Sequence, residues 1–206
     1  MSSSGGAARS FYDALRSQTA NSKCPLCGVG LVAALDHHLP KARYPYLAVC
    51  PYNLIPACQH CNTAKGMKYP ANAYEQTIHP YYDDFSQEQW IIGAIASPSP
   101  DVLNFSVLAP PHWSTVRQAK AHRHFSVMKL GLVYSSNAND DLTSLKKSLA
   151  MIYEHKGPTG VWDYLRFEEM RRAETPNSWD HILYQTLAND GWFIHGGFIN
   201  IGGPSA

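Results

Sequence analysis

The chain has 206 residues, of which 45% are hydrophobic and 16% are charged. This length is enough for one sizeable core, or for a small metal-binding module joined to a second lobe. The sequence has no run of eighteen apolar residues and no basic and apolar leader, so we expect a soluble, cytoplasmic protein rather than a membrane protein.

The formal net charge is only +1, but the charge is unevenly distributed. Residues 21–70 carry five Lys and Arg residues against one Asp, a formal charge of +4, which leaves −3 for the rest of the chain. A local excess of positive charge is expected of a phosphate-binding face, although a solvated basic loop would give the same count. Charge alone therefore does not predict specific DNA recognition.

Residues 1–20 are predicted to form an N-terminal tail and a short helix. The segment 1–8 is rich in Ser, Gly and Ala, which is typical of a disordered or loosely held tail. Apolar residues at Phe11, Ala14 and Leu15 predict a short amphipathic helix after it.

Two Cys-x-x-Cys pairs follow, Cys24 with Cys27 and Cys58 with Cys61. Two such turns brought together supply the closed tetrahedral sulfur set of a structural zinc site, and this spacing favours zinc over four reduced core cysteines. Thiols arranged for zinc also favour the reducing cytoplasm over an extracellular disulfide framework. Cys50 has no partner in this scheme and is predicted to be a small buried hydrophobe.

The thirty residues between the pairs, 28–57, exceed the gap of a plain zinc ribbon, so further structure must be built inside the loop. Residues 31–35 and 53–56 predict two short strands, and residues 58–65 predict a short helix that ends at Gly66. The predicted order is therefore knuckle, strand, long loop, strand and helix.

The motifs in this segment resemble those of the HNH endonucleases. In that family a strand ends in Asp-His-x-x-Pro, an Asn opens the second strand, and Cys-x-x-Cys-(His/Asn)-x-x-Lys starts the helix. The matching residues here are Asp36-His37-His38-Leu39-Pro40, Asn53 and Cys58-Gln59-His60-Cys61-Asn62-Thr63-Ala64-Lys65. The resemblance implies an α+β fold with a zinc-stapled ββα-metal core at residues 21–70, followed at 71–206 by a mostly helical lobe with a short β-hairpin.

The resemblance also implies a role for each matching residue. His37 would be the general base that takes a proton from the attacking water, a task that suits an imidazole. Asp36 and Asn62 would ligate a divalent cation, and Asn53 would hold the His37 loop by hydrogen bonds. The residues predicted to contact phosphate are Lys65 and Lys41.

The catalytic ion is expected to differ from the structural zinc ion. Many family members carry His where this chain has Asn62. An oxygen pair from Asp36 and Asn62 favours a hard ion, Mg²⁺ or Mn²⁺, over a tightly held zinc ion.

The same residues also fit structural roles and a second zinc-enzyme family. Asp36 and His37 could form a structural hydrogen-bonded pair, and His38 and His60 occupy variable positions of the family pattern, where structural or exposed histidines are the default. A zinc nucleobase deaminase would require a His-x-Glu motif, which is excluded because Asp36 is the only acid in residues 21–70.

The loop at 40–52 is rich in aromatic residues. Its tyrosines could cover the metal site or simply pack, and packing is the expected outcome for Tyr44, Tyr46 and Tyr52 because partly buried tyrosines are common.

Beyond Pro70 the pattern turns toward helices. Apolar runs at 90–96 and 102–108, separated by a Ser-Pro-Ser-Pro segment, predict a β-hairpin. Helices are predicted at 114–134, 140–155, 161–172 and 177–188, with Asn177 or Ser178 as the N-cap of the last. His122 and His124 should face different sides of their helix, so a shared metal site is not expected there.

The segment at 192–198 is similar to the aromatic and Gly-Gly tails of some bacterial HNH proteins. That similarity implies a role in defence against phage beside an ATPase partner. The reading we favour for residues 71–206 is a scaffold and partner-binding lobe that carries no chemistry.

The sequence as a whole predicts a divalent-metal-dependent HNH endonuclease acting on DNA. A single ββα site cuts one strand, so a double-strand break would require a homodimer or two visits. The alternative is a non-catalytic zinc ribbon that recruits an ATPase or nucleic acid. A third hypothesis is a nuclease that stays silent until a partner binds.

Overall fold

The computed structural model describes residues 6–96 and 103–200, which combine helices with two small antiparallel sheets. The chain divides into two compact units. The first unit contains the residues up to Asp84 together with Ser114–Lys129, and the second contains Phe85–Trp113 and the residues from Leu130 onward. The predicted mixture of helices and strands is confirmed. The first unit takes in residues on both sides of the domain boundary predicted at residue 70.

The first unit is built around a β-hairpin followed by a helix. Its elements are α1 (Ala7–Arg16), β1 (Ala34–His37), β2 (Leu54–Ala57), α2 (Gln59–Lys65) and α3 (Thr115–Val127). The antiparallel register places Asp36 opposite Ile55 and His37 opposite Leu54. The hairpin and α2 thus follow one another in the predicted β, β, α order.

The strand β1 begins three residues later than the run predicted at 31–35. Leu31 instead forms an isolated antiparallel bridge with Lys23, and the Val32 N–H donates to the Ser22 carbonyl oxygen at 2.9 Å. These backbone groups are therefore taken up by the segment that leads into the first cysteine pair. The helix α2 ends at Gly66, which has a φ of 52°, as the sequence predicts.

The second unit packs a β-hairpin against helices. Its elements are β3 (Ile91–Ile95), β4 (Leu103–Val107), α4 (Leu130–Met170), α5 (Trp179–Asn189) and α6 (Gly191–Ile194). The predicted hairpin is confirmed by the antiparallel pairing of β3 with β4. Its predicted connection at 97–100 lies outside the described residues. The fully buried side chains of this unit include Ile91, Leu103, Leu142, Leu165, Leu183 and Phe193.

The predicted helix boundaries at 134 and 140 are wrong, because residues 135–139 are helical. Their polar side chains lower helix propensity, but tertiary contacts outweigh that preference. The Ser135 hydroxyl donates to the Leu103 carbonyl oxygen at 2.6 Å, and Asn139 Oδ1 accepts from the Leu103 N–H at 3.3 Å. The break lies at Lys129 instead, which has a φ of 53°.

The helix α4 is itself interrupted at Gly157, which has a φ of 62° and a ψ of −161°. Pro158 follows directly and cannot donate the next backbone hydrogen bond. The break predicted from Pro158 and Gly160 therefore begins at Gly157. Across residues 6–96 and 103–200, no helix combines the length and the apolarity needed to cross a lipid bilayer.

The N-cap of α5 is Ser178, whose Oγ accepts from the His181 N–H at 3.3 Å. Asn177, the other candidate, ties the start of β3 to the segment before α5 instead. Its Oδ1 accepts from the N–H groups of Trp90 and Ile91 at 2.8 and 3.2 Å. Its Nδ2 donates to the carbonyl oxygens of Phe85 and Glu88 at 3.2 and 2.8 Å.

We expect Asn177→Ala to lower the free energy of unfolding by about 2–4 kcal/mol, since four hydrogen bonds are lost at about 1 kcal/mol each. Asn177→Asp keeps the two accepted bonds but sets a carboxylate oxygen against the Phe85 and Glu88 carbonyl oxygens, so it should lose at least as much. The matched control is Asn189→Ala on the exposed end of α5, where one bond to the Gln185 carbonyl oxygen is lost. Urea unfolding measures all three, and an Asn177→Ala protein as stable as the control would contradict the assignment.

Candidate functional site

The predicted gathering of four cysteines is confirmed. The sulfur atoms of Cys24, Cys27, Cys58 and Cys61 all lie within 4.8 Å of one another, and all four side chains are buried. The Cys27 and Cys58 sulfurs are 3.8 Å apart. A tetrahedral zinc ion with Zn–S bonds of about 2.3 Å places its sulfurs roughly 3.8 Å apart. The group could therefore hold a metal ion such as zinc.

Tight turns bring the sulfurs together. The Gly28 N–H donates to the Cys24 carbonyl oxygen at 2.8 Å, and Gly28 has a φ of 70°, which favours glycine. At Gly30 a Cβ would lie 2.7 Å from the Cβ of Cys58. Glycine at that position therefore allows the first cysteine turn to approach the second.

Hydrogen bonds among the buried thiols shift their pKa values in opposite directions, so the thiols compete for the thiolate form. Hydrogen bonds from Cys24 and Cys61 lower the pKa of the Cys27 thiol, whereas the hydrogen bond with Cys27 raises the pKa of Cys24. Hydrogen bonds with Cys24 and Cys27 likewise raise the pKa of Cys61. A cation at the centre would relieve this competition, because metal binding favours the thiolate form of every ligand.

His124 connects α3 to the first cysteine turn. Its Nε2 lies 2.8 Å from the Leu26 carbonyl oxygen, and burial lowers the pKa of this imidazole to about 4. A carbonyl oxygen can only accept, so Nε2 carries the proton. His122 is exposed, and the prediction that the two histidines face different ways is confirmed.

Asp36 is buried against Lys65. The Lys65 ammonium lies 3.0 Å from Asp36 Oδ2 and donates to Oδ1 at 3.3 Å, and Lys65 is only 4% exposed. Burial raises the pKa of the Asp36 carboxyl although Lys65 opposes this. Within the described part of the chain, Oδ2 has no polar partner other than this ammonium. The predicted contact of Lys65 with phosphate stays a prediction.

His37 follows Asp36 on β1 and has different surroundings. Consecutive residues of a strand point to opposite faces, and here Asp36 is buried while His37 is half-buried. The Nε2 atom of His37 lies 3.0 Å from the carbonyl oxygen of Ala48, in the loop between the two strands. The imidazole is therefore held by the loop rather than by the carboxylate.

Asn53 fixes that loop from inside the protein. It is 5% exposed, its Oδ1 accepts from the Leu39 N–H at 2.7 Å, and its Nδ2 donates to the Leu39 and Leu47 carbonyl oxygens at 3.0 and 3.2 Å. These are hydrogen bonds of the kind expected for this residue. They join the two ends of the segment that contains Lys41, which is exposed.

Asn62 lies on α2 between Cys61, which belongs to the sulfur group, and Lys65, which pairs with Asp36. Its neighbour Cys61 is fully buried, and Lys65 follows one turn later. The Asn62 side chain is half-buried and forms no hydrogen bond with any residue in 6–96 and 103–200. An amide oxygen in this state is free to bind a ligand.

His38 gains a role that the sequence pattern does not indicate. Burial lowers the pKa of this imidazole to about 3, and its ring centroid lies 4.3 Å from that of His79. It lines a cleft, here called the His38 cleft. The cleft consists of two depressions that share His38 and Thr77. One, with a volume of about 10 Å³, is lined by Lys65, Lys68, Tyr69, Glu75 and Arg123, and the other, with a volume of about 250 Å³, is lined by His79, Tyr82, Asp83 and Lys120.

The sequence does not identify His79 as a site residue, because it lies outside residues 36–65, which carry the HNH-like motif. Its Nε2 lies 3.1 Å from the Tyr52 carbonyl oxygen, and the Tyr81 hydroxyl donates to the Leu54 carbonyl oxygen at 2.9 Å. These bonds attach the segment 79–82 to β2. The cluster of one His and two Tyr in that segment was the available signal.

The surroundings of His60, Cys50 and the loop tyrosines test three further predictions. His60 Nε2 lies 2.9 Å from the Met128 carbonyl oxygen, a structural contact of the default kind. Cys50 is half-buried, not fully buried. The packing prediction is wrong for Tyr46 and Tyr52, which are 75% and 64% exposed because they lie in short 3₁₀ turns on the surface of the loop.

The first unit is also the basic part of the protein. It contains eleven Lys and Arg residues against five Asp and Glu, a formal charge of +6 with neutral thiols, and the second unit carries −5. The candidate site and the positive charge therefore belong to the same unit.

We expect purified protein to contain a single zinc ion per chain, and we expect a strong chelator to unfold the first unit, because the hairpin has few apolar side chains of its own. Cys24→Ser should abolish zinc binding, whereas Cys50→Ser should retain it. Elemental analysis and circular dichroism before and after chelation measure the effect. A folded sample without bound metal would contradict the prediction.

Comparisons with known proteins give one informative match. No protein-family profile and no solved structure matches the chain significantly. The chain is 31% identical over 204 residues to protein ea31 of Escherichia phage lambda, and the match covers 92% of this chain and 69% of the phage protein. The chain therefore belongs to the protein family of phage lambda ea31.

Proposed function

We propose that the protein is a divalent-metal-dependent endonuclease of the HNH type that hydrolyses phosphodiester bonds in DNA. One observation carries the proposal: Asp36 on β1 meets Lys65 on α2, the helix that opens with the second cysteine pair. His37 follows Asp36 on β1, and Asn62 precedes Lys65 by one turn of α2. A zinc ion is the metal we propose for the four thiolates.

The hydrogen bond of His37 supports a role as general base. A carbonyl oxygen has no proton to donate, so the 3.0 Å contact with Ala48 requires a proton on Nε2. The neutral imidazole then carries a lone pair on Nδ1. That nitrogen can accept a proton from water, and the fixed ring loses little freedom when it does so.

Asp36 and Asn62 fit a hard divalent cation. Asp36 offers a buried carboxylate whose only charged partner among the described residues is Lys65, and the Asn62 amide oxygen has no donor among them. Carboxylate and amide oxygens suit Mg²⁺ or Mn²⁺. When bound, such an ion would neutralise the scissile phosphate and stabilise the departing oxygen.

Lys65 sets a condition on ion binding. Because its ammonium lies within 3.3 Å of both Asp36 oxygens, a divalent cation at Asp36 must share the carboxylate with it or displace it. A displaced Lys65 would be free to contact phosphate, as the family resemblance implies. Lys41 is exposed at the start of the loop and is the second proposed phosphate contact.

The same ion pair favours the alternative function, a non-catalytic metal-stapled module that recruits nucleic acid or a partner. In that reading Asp36 neutralises buried Lys65 and serves only stability. A role in defence against phage, an ATPase partner and a homodimer stay predictions from the resemblance.

We expect the zinc-loaded protein to nick supercoiled plasmid in the presence of Mg²⁺ or Mn²⁺. His37→Ala should lower the nicking rate about 100-fold or more, because general-base catalysis contributes roughly 10²–10⁴-fold. The matched control is His122→Ala, which removes an exposed histidine of α3. Equal rates for His37→Ala and the control would overturn the role of His37, and no nicking by any of the three would favour the recruitment module.

We expect Mn²⁺ binding to respond in opposite directions to the two members of the ion pair. Asp36→Asn removes the anionic ligand and should weaken binding at least tenfold, whereas Lys65→Met removes the competing ammonium and should strengthen it. Asp13→Asn, on the exposed pair with Arg9, is the control. Titration of Mn²⁺ followed by electron paramagnetic resonance measures each affinity, and weaker binding by Lys65→Met would contradict competition at Asp36.

A further inference from the structure

The His38 cleft continues outward as a line of aromatic rings. From the cleft to the surface, the ring centroids of His38 and His79 are 4.3 Å apart, those of His79 and Tyr82 are 4.6 Å apart, and those of Tyr82 and Tyr52 are 5.9 Å apart. The planes are tilted by 35° to 51°. The line starts beside Lys65, the partner of Asp36, and ends in solvent.

The outer rings of this line are exposed although they are apolar. Tyr52 is 64% exposed and Tyr82 is 65% exposed. The backbone beneath them is fixed, since the His79 ring is hydrogen-bonded to the Tyr52 carbonyl oxygen and the Tyr81 hydroxyl to that of Leu54. Rigid, exposed aromatic faces are suited to stacking with a flat ligand.

A second aromatic group flanks the other side of the cleft. Tyr69 lines the cleft, and the Tyr44 ring lies edge-on to the Tyr69 ring, with 6.3 Å between the ring centroids. Tyr46, whose ring contacts that of Tyr44, is 75% exposed. The guanidinium of Arg43 lies 4.7 Å from the centre of the Tyr69 ring. A planar cation on an aromatic ring is a second kind of stacking surface.

The charges of the cleft favour an anionic ligand. The lining of the cleft contains four Lys and Arg side chains (Lys65, Lys68, Lys120 and Arg123) against two carboxylates (Glu75 and Asp83). Lys68 and Arg123 have no ion-pair partner in the described chain, and Lys120 is paired with Asp83 at 2.9 Å. The formal charge of +6 on the first unit adds a longer-ranged attraction for polyanions.

We propose that the His38 cleft and its exposed tyrosines bind an unpaired nucleic-acid strand, with bases stacked on Tyr52 and Tyr82 and phosphates against Lys68 and Arg123. The inference rests on the proposed nuclease function and names its substrate as single-stranded or locally unpaired. In a duplex, the flat faces of the bases are covered by neighbouring pairs, so exposed tyrosines would have nothing to stack on. Single-strand binding proteins combine the same two components, a basic groove and aromatic rings.

The test is a binding measurement on the full-length, zinc-loaded protein. A fluorescein-labelled 20-nucleotide single strand and a hairpin duplex of the same sequence are titrated in the absence of Mg²⁺ and Mn²⁺, and anisotropy gives each Kd. We expect the single strand to bind at least tenfold tighter than the duplex. A duplex that binds as tightly as the single strand would overturn the proposal, and so would a synthetic acidic peptide of equal charge that competes as well as the strand.

The variants separate stacking from charge. Tyr52→Ala and Tyr82→Ala should each weaken single-strand binding about tenfold, whereas Tyr52→Phe and Tyr82→Phe should bind like the natural protein, because stacking needs the ring and not the hydroxyl. Phe167→Ala, a 55% exposed ring of the second unit, is the control. Alanine variants that bind like this control would overturn the role of the tyrosines.

Salt dependence tests the phosphate contacts. Lys68→Gln and Arg123→Gln should each reduce the slope of log K against log salt by about 0.7, the value expected for one phosphate contact of a single strand. Tyr52→Ala should leave this slope unchanged. An unchanged slope in both glutamine variants would overturn the placement of the phosphates in the cleft.

Binding and cleavage are tested independently, because binding is measured in the absence of Mg²⁺ and Mn²⁺. His122→Ala, which removes an exposed histidine outside both proposed sites, should bind the single strand with the same Kd as the natural protein, whether or not the protein cuts DNA. Selective binding without cleavage would overturn the proposed nuclease and support the strand-binding surface. Cleavage of duplex and single strand at equal rates, unaffected by Tyr52→Ala, would overturn the surface and leave the nuclease standing.

Discussion

The first unit depends on the four buried thiols at its centre. The hairpin of β1 and β2 is only four residue pairs long, and a two-stranded sheet of that size is marginally stable by itself in water. One cysteine pair precedes the hairpin and the other opens α2, so a metal ion shared by both would hold the helix against the strands. Side chains on these elements, Asp36 and Asn62 among them, would then be fixed relative to one another by sulfur ligation rather than by a large core.

Next to this group, Asp36 and Lys65 form a buried ion pair, and removing both charges from water is energetically costly. Burial raises the pKa of the Asp36 carboxyl, and the ammonium, which lies within 3.3 Å of both carboxylate oxygens, opposes that effect. A fold that required only stability could replace such a pair by apolar residues. In the proposed function the carboxylate would also serve a divalent cation, which would link the stability of the unit to its proposed chemistry.

The two structural units carry opposite formal charges. The unit that contains the sulfur group, the His38 cleft and the exposed tyrosines carries the positive charge, whereas the helical second unit is acidic. The small net charge of the whole chain therefore conceals an excess of positive charge in the first unit, which would attract polyanions. The assignment of chemistry to the first unit and of support or partner binding to the second agrees with this division.

The sequence by itself determined the sulfur group, the order of hairpin and α2 and the stop at Gly66, because these follow from spacing and local backbone preference. The hydrogen bonds of Asn53 were an expectation from the family resemblance alone. Only the tertiary structure decided where the chain breaks near Lys129, since contacts with Leu103 keep residues 135–139 helical against their propensity. The burial of Lys65 and the meeting of His38 with His79 were likewise decided by packing between residues about thirty to forty positions apart. No local pattern encodes such a contact, because its free energy comes from the burial and pairing of groups that adjoin only after folding.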